Sequence, residues 1–438
     1  MRRLVWLLAL PLSAAMMPLS LPKAIEIATA PNGNLRLQIT RETIAQAEAR
    51  RRQALGAFLP NLDGSISASS QTQNLAAFGF QLTSVLPFTI PTFVGPFTVV
   101  DYRVSATQSI LDLSAIERYR ASKLQREVAR AETRNTTELT IQQVARAYVL
   151  QLKAEASVDT AKANVDLAER LVQLAESQKR AGTGTGIEVT RSRVQLQNEK
   201  QRLIAAQNDR EQASLDLKRA IGIDLAQEIE LTDRMNDGSD AAVTAEAAVE
   251  TALEQRPDLL AQQRRQGVAQ RNVKSIAAER LPSLAASGAY GVIGNGSTMV
   301  PTRSVGVAVR VPIFDGGRRE ARIAEGGVLE RQERLRVEDL RKQIELEVRV
   351  ALNNVKNARA QIEAARLGLE LAENEVEQAQ RRTEAGVANS VELTDAQTRL
   401  ARARDNNLGA LYLFNLARID VAAATGSMEQ AVAGMVKK

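Results

Sequence analysis

The 438-residue sequence contains no cysteine and no histidine. Their absence removes disulfides, thiol nucleophiles, imidazole general bases and most transition-metal ligand sets. Enzymatic chemistry would fall to carboxylates, Lys, Ser or Tyr, and no stretch gathers such groups toward a pocket. The expectation is a non-enzyme with no cofactor and no metal. Methionines number seven, and Met1, Met16 and Met17 crowd the N-terminus, which argues against a relay for soft metals. Aromatic residues make up only 3%, too few for a conventional globular core or for stacking nucleobases. The 57 Lys and Arg outnumber 51 Asp and Glu by little and are interleaved with them, so no nucleic-acid partner is expected. Proline is missing from Phe97 to Arg256 and again after Pro312, which leaves two long stretches free to be helical.

The opening MRRLVWLLALPLSAAMM has a basic start at Arg2 and Arg3, a short apolar run from Leu4 to Leu12, and small residues at Ser13-Ala14-Ala15. It is too short to span a bilayer and has the form of a secretory signal peptide covering residues 1–15. Removing it leaves 55 basic against 51 acidic groups. No other segment approaches 18 consecutive apolar residues, so an exported chain without a transmembrane helix is expected.

A repeat organises the remainder. AGTGTGIEVTRSRVQL at Ala181–Leu196 aligns with AGVANSVELTDAQTRL at Ala385–Leu400 at an offset of 204, and the alignment runs without a gap from Val144/Val348 to Gly222/Gly426. Inside it, Ala147, Ala154, Ala161, Ala168 and Ala175 recur every seven residues, as do Ala351, Ala358, Ala365, Ala372 and Ala379. Three residues before each Ala runs a second series. It reads Val144, Gln151, Val158, Val165 and Val172 in one copy, and Val348, Val355, Ile362, Leu369 and Val376 in the other. This is a heptad seam sustained over five heptads, twice. Alanine at every second seam position lets helix axes approach to the low end of the usual spacing of about 8–10 Å. Helices are expected at 113–181 and 317–385, each roughly 100 Å long at about 1.5 Å per residue. Gly-containing turns follow, then return helices at 187–221 and 391–424. Glycine supplies the left-handed C-cap, and Ser390 is suited to cap the second return helix. The first tip holds three glycines and is expected to be the more flexible.

Elsewhere the period drops from seven to two. Leu62, Ile66 and Ala68 oppose Asp63, Ser65, Ser67 and Ser69; Val100, Tyr102, Val104 and Ala106 oppose Asp101, Arg103, Ser105 and Thr107. Leu284, Ala286, Tyr290 and Val292 share a face, and Val305, Val307, Val309 and Val311 oppose Ser304, Gly306, Ala308 and Arg310. Strands of about ten residues with one apolar and one polar face have the length and pattern of transmembrane β-strands. Four strands cannot close a barrel, and an open edge in lipid leaves backbone groups unpaired, so oligomerisation is required. Two chains would supply eight strands and three would supply twelve, with an open lumen.

Taken together the residues resemble the TolC-like outer-membrane efflux proteins across essentially the whole mature chain. LSLPKAIEIA at Leu19–Ala28 is similar to the family's opening helix. LPNL at Leu59–Leu62 and LPSL at Leu281–Leu284 are similar to its strand entrances. SILDLS at Ser109–Ser114 and VPIFDGGRR at Val311–Arg319 match its strand-to-helix exits, and RPDL at Arg256–Leu259 the start of its second half. The resemblance implies a mainly α fold with transmembrane β and two structural repeats, each a β-hairpin with long helical hairpins. Three copies would form a twelve-stranded barrel in outer-membrane lipid and a coiled-coil helical tunnel across the periplasm. Solutes would pass passively from an inner-membrane pump through a periplasmic adaptor to the outside. The expected divisions are a first repeat at 16–222 (strands about 61–109), a connecting belt at 223–256, a second repeat at 257–426 (strands about 283–313) and a tail at 427–438.

The resemblance also carries site residues. It implies that the tips, at Gly182-Thr183 and Gly386-Val387, meet the adaptor. Two Asp that ring the closed entrance in the family's type member align with Glu392 and Asp395. At i, i+3 both can face the lumen, and three copies would set six carboxylates at one constriction, raising their pKa values and attracting cations. An acid in a first helical turn also simply complements the helix dipole, which accounts equally for Glu392. Glu replaces Asp at 392, and Ala388 stands where the type member has an Arg that helps hold the entrance shut. In the first repeat Glu188 is followed by Arg191 at i+3, so the acidic ring is expected from the second repeat alone. The Phe-rich stretch Ala77–Phe97 is expected to be an extracellular link packed against the barrel mouth or its trimer mates, with a phage, surface or lipid contact as the alternative. A periplasmic coiled-coil spacer or tether is the competing function; it explains the heptads but not four alternating strands.

Overall fold

A computed structural model describes residues 16–78, 93–235, 237–238, 244–385, 387 and 390–435. The signal peptide, most of the Phe-rich stretch, Gly386, Ala388, Asn389, the Ser390 side chain and the last three residues of the tail lie outside this description.

In chain order the elements are β1 (Met17–Leu19), α1 (Leu21–Thr29), α2 (Leu35–Gly56), β2 (Asn61–Asn74), a 3-10 turn (Leu75–Phe78), β3 (Phe93–Leu111), α3 (Leu113–Arg180) and α4 (Gly186–Ile221). There follow β4 (Ile229–Leu231), α5 (Ala245–Gln255), α6 (Pro257–Ala278), β5 (Ser283–Gly294), β6 (Met299–Arg310), α7 (Arg318–Glu384), α8 (Ser390–Thr425) and α9 (Met428–Met435). The helix pairs expected from the heptads match α3 with α4 and α7 with α8 to within a residue or two. Lengths recur in order: α2 and α6 have 22 residues, α3 and α7 have 68 and 67, α4 and α8 have 36 each.

The described chain forms two compact units: residues up to 43 with 130–260 and 338–438, and residues 44–129 with 261–337. In the first unit the heptad seam is buried. Val144, Gln151, Ala154, Val158, Ala161, Val165, Ala168 and Ala175 are all inside, as are Val348, Ala351, Ala358, Ile362, Ala372, Val376 and Ala379. Alanines of α7 meet α8 directly: Ala358 and Ile362 pack with Ala410, Phe414 and Ala417. Ala372, Val376 and Ala379 pack with Leu393, Ala396 and Leu400. An 18-residue window of α8 is apolar enough to cross a membrane by length and composition, although Asn415, Arg418 and Asp420 interrupt its apolar run. Phe414 and Ile419 are 1% exposed in the core, while Leu413 is 49% exposed, so α8 is apolar in part because it packs on several neighbours.

The belt segment and the residues after the expected cleavage point join in one place that periodicity could not reveal. β1 pairs in parallel with β4, Met17 opposite Ile229. The buried Asp233 carboxylate accepts from the Leu21 backbone N–H and the Tyr148 hydroxyl, both at 2.8 Å. The Tyr148 hydroxyl also lies 2.9 Å from the Leu19 carbonyl. Burial and the Asp233 carboxylate push the Tyr148 pKa up, so the phenol keeps its proton. Arg256, 13% exposed at its side chain, anchors the start of α6, its guanidinium forking onto Asp258 at 2.6 Å and Glu347 at 2.5 Å.

In the second unit β2, β3, β5 and β6 form one antiparallel sheet in that order. Polar contacts tie its helical segments: Ser275 Oγ donates to the Ser114 carbonyl at 3.0 Å, and Glu117 holds Arg271 at 3.1 Å. Gly326 allows α7 close to α6, since a Cβ there would lie 3.1 Å from Val273.

Candidate channel wall and helical tips

The register of the sheet decides which side chains share a face. Leu62 lies opposite Ala106, Ile66 opposite Tyr102 and Ala68 opposite Val100. Val104 lies opposite Tyr290 and Tyr102 opposite Val292. Leu284 meets Val309, Ala286 meets Val307 and Gly288 meets Val305. The four separate alternations therefore merge into one continuous apolar surface, as the pattern predicts. The other surface carries Asp63, Ser65, Ser67, Asp101, Arg103, Ser105 and Ser304. On it Arg103 pairs with Asp101 at 2.6 Å, a local neutralisation that alternation alone does not reveal. The apolar face is bare: Val305 is 91% exposed, Ile66 76% and Val307 66%.

Both hairpins differ in length from the expected ten residues. β2 and β3 pair as far as Asn74 and Phe93, past a bulge between Gln71 and Gln73. Gly95 sits at the bulge with φ +122°, and a Cβ there would lie 2.8 Å from the Gln71 carbonyl, so only glycine fits. Ladder bonds continue where side-chain alternation ends, so periodicity underestimates these strands. Among the described residues the outer edges of β2 and β6 have no neighbouring strand.

At the first tip, α3 ends on Gly182 at φ +76°. The N–H groups of Thr183 and Gly184 both donate to the Gln178 carbonyl at 3.0 Å. α4 starts at once, the Glu188 carboxylate accepting from the Thr185 N–H at 2.6 Å. The turn is thus hydrogen-bonded at both ends, and Glu188 serves as a cap residue. Thr183 is exposed.

At the second tip Val387 is 67% exposed. Glu392 is half-exposed and accepts from Arg382 Nε at 2.9 Å across the hairpin. Asp395, one turn on, is exposed. Arg399, four residues on, forks onto Glu375 at 2.9 and 2.7 Å. Glu375 foremost, with Asp395 adding its field, raises the Arg399 pKa. Both acids named from the sequence are therefore near the tip; Glu392 pairs with Arg382, while Asp395 acts on Arg399 only through its field, Arg399 being held by Glu375. Arg382 lies ten residues before Glu392 on the other helix, which no local spacing shows, whereas the Asp395/Arg399 spacing of i, i+4 on one helix was legible in the sequence and was not used.

One further acid emerges only in three dimensions. Asp405 on α8 lines a cavity of about 510 Å³ with Lys153 of α3 and Arg202 of α4. Burial pushes its carboxyl pKa up against the opposing pull of the two cations.

A bare amphipathic antiparallel sheet and long helical hairpins in one chain are the elements of an outer-membrane channel protein. The family pattern of the outer membrane efflux proteins matches residues 27–223 and 248–427, and the chain belongs to that family. As such it is an outer-membrane efflux protein with a periplasmic helical part. The fold is that of solved channels. The Campylobacter jejuni CmeC outer membrane channel superposes with a TM-score of 0.80 at 19% identity, covering 93% of this chain and 85% of that one. The outer membrane protein VceC from Vibrio cholerae gives 0.77 at 18%, covering 93% and 96%. The open state of the Neisseria gonorrhoeae MtrE outer membrane channel gives 0.73 at 18%, covering 93% and 88%. No curated protein matches the chain.

Proposed function

We propose that three copies of this chain close a twelve-stranded barrel and a helical tunnel, built from two structural repeats per chain. Such a trimer conducts solutes passively from an inner-membrane pump and a periplasmic adaptor to the cell exterior. One observation carries this: a four-stranded sheet with one apolar face and two unpaired edges. Unpaired edges in lipid cost several kcal/mol per backbone group, and closure by neighbouring copies removes that cost. The first and last strands run in opposite directions, so β6 of one copy and β2 of the next can pair antiparallel around the ring. With the apolar face in lipid, Asp63, Ser65, Ser67, Asp101 and Arg103 line the lumen.

The tips at Gly182-Thr183 and Gly386-Val387 are the adaptor's docking points; Gly182, Thr183 and Val387 are exposed. Glu392 and Asp395 form the acidic constriction at the periplasmic entrance, Asp395 contributing most because Arg382 already offsets Glu392. The test is conductance across a planar bilayer by purified, detergent-solubilised protein of known oligomeric mass. Discrete conductance steps from a trimer are expected. A soluble, non-conducting coiled coil would refute the channel and favour a periplasmic spacer.

A further inference from the structure

The two outer edges of the sheet carry opposite charges at the same end. On the polar face of β2, from Asn61 to Gln73, the one charged residue is Asp63. On the polar face of β6, from Thr302 to Arg310, it is Arg310. Asp63 stands near the start of β2, which follows α2, and Arg310 closes β6, which precedes α7, so both lie on the helix side of the sheet. Both are exposed, and neither has a partner of opposite charge among the described residues. Asp63 accepts from the Asn61 side-chain amide at 3.1 Å. The other charges of this face, Asp101 and Arg103 on the inner strand β3, pair with each other.

Length and alternation restrict how β6 of one copy meets β2 of the next, granted the barrel proposed above. β6 has 12 residues and β2 has 14, so a seam that pairs all of β6 sets Arg310 opposite Asn61, Leu62 or Asp63. Leu62 is excluded, because that register would turn the apolar face of one strand to the polar face of the other. Shear accepts both remaining registers. The row through Asp63 crosses Ser105, Ala289 and Ser304, and at Ser304 it is six residues from the helix-side end of β6. With Arg310 opposite Asp63 the same row continues to Ser69 of the next copy, six residues along β2 over four strands. At about 3.3 Å per residue and about 4.8 Å between strands, that is a tilt of about 46°; Asn61 as the partner gives about 35°.

Charge separates the two. Directly opposite residues have Cβ atoms about 4.5–5.5 Å apart, within reach of an ion pair. The alternative register sets Arg310 against the Asn61 amide and Asp63 against the methyl group of Ala308. We propose that Asp63 of one copy pairs with Arg310 of the next at each seam of the ring, and that this pair fixes the register in which the barrel closes. The partner is a second copy of this chain, and each pair is completed only by that copy. Val307 then lies opposite Ile66 on the lipid face of the same seam. The inference rests on the barrel reading, and its test separates the two.

The chain has no cysteine, so introduced pairs are its only thiols. Three double variants of the full chain are oxidised with copper phenanthroline in detergent and run on gels without reductant. Ser65→Cys with Ala308→Cys stands directly opposite in the proposed register and should give covalent trimers. Ser65→Cys with Gly306→Cys, and Ser67→Cys with Ala308→Cys, stand opposite in the registers on either side and should link poorly. Equal or greater linking by either of these overturns the register. Linking by none of the three in protein that gives normal conductance steps also overturns the register alone, whereas no linking and no steps overturn the barrel with it. The ion pair is read separately, by exchange of subunits between tagged and untagged trimers. Asp63→Asn and Arg310→Gln should each speed exchange about two- to fivefold, and the swapped Asp63→Arg with Arg310→Asp should return it toward wild type. Exchange unchanged in the single variants, or as fast in the swapped variant as in the singles, overturns the pair.

Discussion

Replacing Ala358 with Leu tests whether the seam depends on small residues. Ala358 is 5% exposed on α7 and packs with Ile362 against Ala410, Phe414 and Ala417 of α8. Phe414 is 1% exposed, so it has no free space into which to retreat. Three extra carbons must therefore force the helices apart or push Phe414 off its rotamer, at about 1–3 kcal/mol. Two residues along, Ala360 is exposed, and Ala360→Leu should fall within about 0.5 kcal/mol of wild type. Hydrogen exchange by mass spectrometry reads the difference locally, because opening free energies set exchange rates. A loss of about 1–3 kcal/mol predicts roughly 5- to 160-fold faster exchange in α7 and α8 around Ala358 and Phe414. Adding Phe414→Leu to Ala358→Leu should recover part of the loss, since neighbours sharing one space are coupled. Equal exchange in Ala358→Leu and Ala360→Leu would refute the claim that alanine sets the helix spacing.

Other outcomes are open to measurement. Asp395→Asn should relieve divalent-cation block of single-channel current more than Glu392→Gln, because Arg382 already pairs Glu392; identical block in both and in wild type would make them helix-end residues only. The Arg51 guanidinium foremost, with Arg126, holds the Glu48 carboxyl down at about 2. A depressed carboxylate contributes stability that is present above its unfolded value of about 4.5 and lost as pH falls toward 2. Exchange in α2 around Glu48 and in α3 around Arg126 should therefore speed up across that window in wild type, and Glu48→Gln should abolish the pH dependence. Arg256→Met strips Asp258 and Glu347 of their shared partner in a mostly buried site and should cost on the order of 3 kcal/mol, seen as faster exchange at the start of α6; unchanged exchange there would mean that the fork is decorative.

Local periodicity determined more of this protein than its composition did. Two five-heptad runs of alanine, uninterrupted by proline, leave the chain little choice but long helices with close-packed seams, and α3 and α7 end five residues past the last heptad alanines, two residues before the Gly182 and Gly386 of the turns. Alternation of period two assigned Leu62, Tyr102, Tyr290 and Val307 to apolar faces because the pleat has the same period. The tertiary structure decided what periodicity cannot carry, namely which residues far apart in the chain become neighbours. That Val104 lies opposite Tyr290, merging two hairpins into one sheet, depends on strand order and register. That Glu392 meets Arg382, and that Asp405 shares a cavity with Lys153 and Arg202, depends on how helices face one another. Single polar residues such as Asp233 and Arg256 have no period at all, so only the fold could bring Tyr148, Leu19 and Leu21 to the first and Glu347 to the second.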